Sequence, residues 1–88
     1  MSHESLEIEF TEAVNRVNGH PEPFPADILL RLYAYYKKAT NDYTRPKGKK
    51  KLINAFKTNA LFQVKNVDVD EAKQEYINLV NNYFLYRS

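Results

Sequence analysis

From Ala72 onward the chain sets Ala72, Tyr76, Leu79, Val80, Tyr83 and Phe84 at offsets of 0, 4, 7, 8, 11 and 12. On a helix of 3.6 residues per turn these positions form one apolar stripe. A strand cannot use this spacing, because its side chains alternate between faces. The stripe must be buried, so the rest of the chain has to supply apolar surface to cover it. Asp68 followed by Glu71 has the form of a capping box with Asp in place of Ser or Thr, which starts this helix at Asp68.

The same periodicity recurs upstream. Leu6, Phe10, Ala13, Val14 and Val17 predict a first helix from about Ser5 to Asn18, with Ser5 as N-cap and Glu7 and Glu9 in the first turn. Pro21, Pro23 and Pro25 then break the chain, since a helix tolerates proline only in its first turn. Pro25 suits that first turn of a second helix, which runs to about Thr40 before Asn41 and Asp42 open a loop. Arg45-Pro46-Lys47-Gly48 punctuates again, and Leu52, Ile53, Phe56 and Ala60 predict a third helix from Lys49 to about Phe62. The run Leu61-Phe62-Gln63-Val64 reads equally as a short strand or as the end of that helix. The expectation is an all-α four-helix bundle formed as one domain over residues 1–88.

Composition narrows the function classes. Cysteine is absent, which excludes disulfide frameworks, thiolate zinc sites and thiol nucleophiles. Two Gly and four Pro do not suit a turn-rich β-sandwich. No apolar run approaches the roughly 18 residues of a membrane span. The opening MSHESLEIEF is acidic and has no apolar core of a signal peptide, so the expected location is cytoplasmic. His3 and His20 have neither metal-ligand nor triad spacing, and Gly48 stands alone among lysines, unlike a phosphate-cradling loop. Asp68, Asp70 and Glu71 are explained by the start of a helix. A non-enzymatic chain without cofactor or metal is expected.

The formal charge of +2 conceals an uneven distribution. Residues 37–57 hold eight basic side chains and one acidic one, Asp42, so that stretch carries +7 and the remainder is acidic. Such a field attracts phosphate-bearing partners. Leu29, Tyr33, Tyr36, Lys37 and Thr40 share one face of the second helix. There a phenol and an ammonium can converge on one phosphate while Tyr36 offers a stacking surface to a nucleobase. Two readings follow from these residues alone: a small phosphate-bearing ligand, or a nucleic acid bound by the basic 37–57 segment.

Pro25-Ala26-Asp27 followed by Leu32-Tyr33-Ala34-Tyr35-Tyr36-Lys37-Lys38-Ala39-Thr40 resembles the lead-in and second-helix motif of the acyl-CoA-binding proteins, small four-helix carriers of acyl-CoA esters. Arg45-Pro46, Lys47-Gly48-Lys49-Lys50-Lys51, Asp70-Glu71-Ala72 and Tyr76-Ile77 are similar to further family segments, so the resemblance spans nearly the whole chain. It implies that Tyr33 and Lys37 reach the 3′-phosphate of CoA and that Tyr36 packs on the adenine. Lys51, with Lys50 its nearest rival, is implied as a further phosphate ligand. Tyr76 is implied in the nucleotide site, and Leu29 and Leu30 along the acyl chain. Three departures stand out. The loop before the lysine run is several residues shorter, Leu52 and Ala55 replace two common tryptophans, and Asn18 stands where many members carry a ligand-binding lysine. The resemblance implies a monomeric cytoplasmic carrier of medium- or long-chain acyl-CoA, without nucleic-acid binding or stable membrane insertion.

Overall fold

The computed structural model describes residues 3–42 and 50–85, which form four helices: α1 (His3–Gly19), α2 (Ala26–Ala39), α3 (Lys51–Gln63) and α4 (Val69–Leu85). No strand occurs among the described residues. The expected all-α four-helix arrangement is found, and Leu61-Phe62-Gln63-Val64 closes α3 as helix and cap. Arg45, Lys47 and Lys49, together with Tyr43, lie outside the described residues.

Local chemistry sets the helix ends. The Glu71 N–H donates to Asp68 Oδ1 at 2.8 Å, one half of the predicted capping box. At the end of α2, the Asn41 N–H donates to the Lys38 carbonyl and the Asp42 N–H to the Lys37 carbonyl, at 3.2 and 2.9 Å. With Asn41 at φ 54° this is a Schellman closure, and Asn tolerates the left-handed conformation it requires. Two boundaries differ from expectation. Helix α1 begins at His3, so Ser5 lies inside it and Glu4 occupies the first turn. Pro25 is the N-cap of α2 rather than its first helical residue, and the Leu29 N–H bonds back to its carbonyl at 3.0 Å.

Helix α4 is central: it packs closely on both α1 and α2, and among the described residues α3 packs on α2 alone. The spatial order is therefore α1, α4, α2, α3. Leu6, Phe10 and Ala13 of α1, Leu32 and Ala39 of α2, and Ala72, Tyr76, Ile77 and Val80 of α4 form one buried cluster. Ala72 and Val80 are almost wholly enclosed, so the stripe of α4 is the structural spine. The proline-rich connection is pinned by Phe24, whose ring lies 4.6 Å from Tyr83 and 5.1 Å from His20. The Arg16 guanidinium sits 4.4 Å over Phe84 and donates to Asn81 Oδ1 at 3.1 Å, and Lys73 pairs with Glu7, so polar links also join α1 to α4.

Helix α3 departs from the expected pattern of burial. Its periodic apolar residues are present, yet none of its residues is buried. Half-buried Asn54, Lys57, Ala60 and Leu61, with Val64 just beyond, mark the face toward α2. Leu52 and Phe56 point away from it. With only one neighbour, α3 has less core to enter than it has apolar residues to bury.

Candidate functional site

Between α1 and α2 the backbones stand apart, and a groove of about 320 Å³ opens with α4 beneath it. Val14, Val17 and Asn18 line it from α1, Leu29, Leu32, Tyr33 and Tyr36 from α2, and Tyr76 from α4. The spacing of Leu29, Tyr33 and Tyr36 along one helical face brings them to the same wall. The lining is mostly apolar and aromatic, with few polar groups, as in small-molecule sites generally.

The aromatic side of the groove is a stack. Phe10 lies 6.2 Å from Tyr36, nearly parallel, and 5.2 Å edge-on to Tyr76. Tyr36 remains 41% exposed, so its ring offers a free face to a ligand. Tyr76 is buried, and burial first, then the neighbouring Tyr36 phenol, push its pKa from 10.0 to about 12. The Tyr76 hydroxyl therefore stays protonated and available as a donor. Stability held by the neutral form is complete below pH 10 and is lost as pH rises toward 12, by ~1–2 kcal/mol after solvent screening. Urea midpoints at about pH 9 and pH 11.5 should therefore fall less for Tyr76→Phe than for the parent chain. An identical fall in both would remove Tyr76 from the alkaline transition.

The cationic side centres on Tyr33. The Lys37 ammonium lies 5.5 Å from the ring centroid and the Lys57 ammonium 5.1 Å from it. Lys37 is only 7% exposed, and its Nζ is 3.8 Å from Asp42 Oδ1. The Schellman closure is what turns Asp42 back toward that lysine. One half-buried phenol thus carries two positive charges that α2 and α3 supply from different directions.

Of the residues singled out in the sequence, Asn18, Leu29, Tyr33, Tyr36 and Tyr76 meet in the groove, and Lys37 adjoins it through Tyr33. Leu30 is half-buried and is not part of the lining, because it sits 100° round the helix from Leu29. Lys50 and Lys51 are exposed at the start of α3, Lys50 as its N-cap. Lys57 was legible only as one charge of the basic segment. Its approach to Tyr33 depends on how α3 docks, which no periodicity reveals. Val14 and Val17, apolar positions of the first helix's periodicity, pack against the core and form groove wall as well.

A family model described as acyl-CoA binding protein matches residues 7–80. The chain belongs to the acyl-CoA-binding protein family. It is 37% identical over 75 residues to the acyl-CoA-binding protein of Saccharomyces cerevisiae, covering 82% of this chain and 85% of that one. Its fold is similar to the crystal structure of Oryza sativa acyl-CoA-binding protein 2, with a TM-score of 0.77 at 28% identity and 92% of each chain covered. The matched residues contain every groove residue named above. Among the described residues, no helix of this family member is long and apolar enough to cross a membrane.

Proposed function

We propose that the chain is a non-catalytic carrier of medium- or long-chain fatty acyl-CoA, acting as a single binding domain. The observation that carries this reading is the placement of Tyr33, with the Lys37 and Lys57 ammonium groups beside its ring, on the wall of an apolar groove. An amphiphile with a phosphorylated nucleotide head and an alkyl tail matches both halves. Tyr33 and Lys37 hold the 3′-phosphate, with exposed Lys51 or Lys50 completing the charge around it. Tyr36 stacks on the adenine and Tyr76 backs it. Leu29 and the apolar lining take the tail, while Leu30 supports α2 from outside the groove.

Asp42 adds a point that the motif alone does not contain. Its carboxylate neighbours the Lys37 ammonium, and a dianionic phosphate arriving at Tyr33 displaces that contact because it carries more charge at similar range. No bond is made or broken in this reading, and membership of the acyl-CoA-binding protein family supports it.

Tyr33→Phe and Lys37→Met each test the phosphate site. Met is preferred to Ala because the Lys37 stem is buried and its loss would also disturb packing. Loss of one charge-assisted hydrogen bond of about 1.5–3 kcal/mol should weaken CoA-ester binding by about ten- to a hundredfold in calorimetry. Unchanged dissociation constants in both variants would show that the phosphate lies elsewhere. A single-stranded oligonucleotide titrated alongside tests the other reading of the basic segment, which predicts salt-steep binding to any polyanion.

A further inference from the structure

Tyr33 is where α2 and α3 bring their charges together, and the two lysines that meet there are not equivalent. The Lys37 ammonium lies 5.5 Å from the ring centroid and the Lys57 ammonium 5.1 Å from it. Lys37 is buried and faces Asp42 Oδ1 at 3.8 Å. Lys57 is half-buried, and among the described residues no carboxylate stands within ion-pair distance of it. The sequence accounts for this difference. Residues 43–67 contain no Asp or Glu, so α3 has no acid one turn away with which to pair its own lysine.

Two ammonium ions gathered at one phenol repel each other, and the ring offsets only part of that repulsion. The Asp42 carboxylate serves Lys37, which leaves the charge of Lys57 uncompensated. An anion at the Tyr33 hydroxyl corrects the imbalance. A phosphate monoester carries close to two negative charges at neutral pH, so it matches both ammonium groups once the Asp42 contact is displaced. Lys57 ends in an ammonium on a flexible four-carbon stem, so it can turn from the ring to a phosphate oxygen without moving its helix. Lys50 and Lys51 are exposed and lie about 9–10 Å further along the axis of α3. They attract a phosphate through solvent, where salt screens them, whereas half-buried Lys57 meets it with part of its hydration already removed.

We propose that Lys57 is a direct phosphate ligand supplied by α3, and that it sets the preference of the site for a terminal phosphomonoester over the same ligand without it. This rests on the carrier reading and adds to it a recognition residue that lies outside the second-helix motif. The full chain and its Lys57→Met variant are titrated by calorimetry with palmitoyl-CoA and with palmitoyl-3′-dephospho-CoA. The parent chain should favour the phosphorylated ester by about a hundredfold, the sum of several charge-assisted hydrogen bonds. Lys57→Met should lose about tenfold toward palmitoyl-CoA and less than about twofold toward the dephospho ester, because only the first offers the lost bond a partner. A variant that discriminates as sharply as the parent overturns the proposal and leaves the carrier reading in place. An equal loss toward both esters also overturns it, since Lys57 would then only support the docking of α3. A parent chain that binds both esters alike overturns this proposal together with the phosphate placement on which it rests.

Discussion

Palmitoyl-CoA is expected to bind at least about a thousandfold more tightly than free CoA, with free palmitate hardly binding at all. The expectation rests on dividing the ligand. On the carrier reading, a few polar groups around Tyr33 recognise the nucleotide end, each exchanging water for protein at modest net gain. The tail contributes through area: each CH₂ removed from water is worth about 0.8 kcal/mol, so even half of a palmitoyl chain supplies about 6 kcal/mol. Ordering the chain takes back part of this, leaving three decades as a conservative surplus. Palmitate alone keeps the tail but brings its carboxylate to a groove whose cations are spaced around Tyr33 for a larger head. Calorimetry with the three compounds decides the matter, and equal affinity for CoA and its palmitoyl ester would defeat the carrier reading.

The second large effect concerns Phe10. Its ring is buried, packs on both Tyr36 and Tyr76, and holds these two rings at the groove. Phe10→Ala should destabilise the fold by about 3–5 kcal/mol, because it removes the transfer energy of the ring and leaves a cavity between α1, α2 and α4. For 88 residues the whole stability is of the order of 4–13 kcal/mol, so the variant should melt far below the parent. Ligand binding should weaken as well, since Tyr36 loses the ring that backs it. Phe10→Leu restores most of the volume and should recover stability more fully than affinity. Denaturant midpoints within about 1 kcal/mol of the parent for Phe10→Ala would show that the stack is not a structural support.

How much of this could be read from residues alone differs from helix to helix. The stripe of α4 and its Asp68 cap were plain, because a long periodic segment with a side-chain cap leaves little competing interpretation. The start of α1 was misplaced, since acidic first-turn residues occur at Glu4 as well as at Glu7 and Ser5 is compatible with a helix interior. The wall of Leu29, Tyr33 and Tyr36 followed from spacing on one helix. The arrival of Lys57 at Tyr33 did not, because it joins residues on two helices whose docking angle is a property of packing. Periodicity in α3 correctly gave a helix yet said nothing of burial. Leu52 and Phe56 obey the same rule as Tyr76 and Val80 and yet stay exposed.

The attachment of α3 carries a consequence for motion. Cooperative units of a fold open at free energies set by how much they bury, and α3 encloses no residue and leans on one neighbour. It is therefore the element that can come away while α1, α2 and α4 keep their common core. When it does, Lys57 leaves Tyr33, and half of the positive charge gathered on that phenol goes with it. An anion held there ties the loosest helix to the tightest three, so occupancy raises local protection in α3 before it raises stability anywhere else.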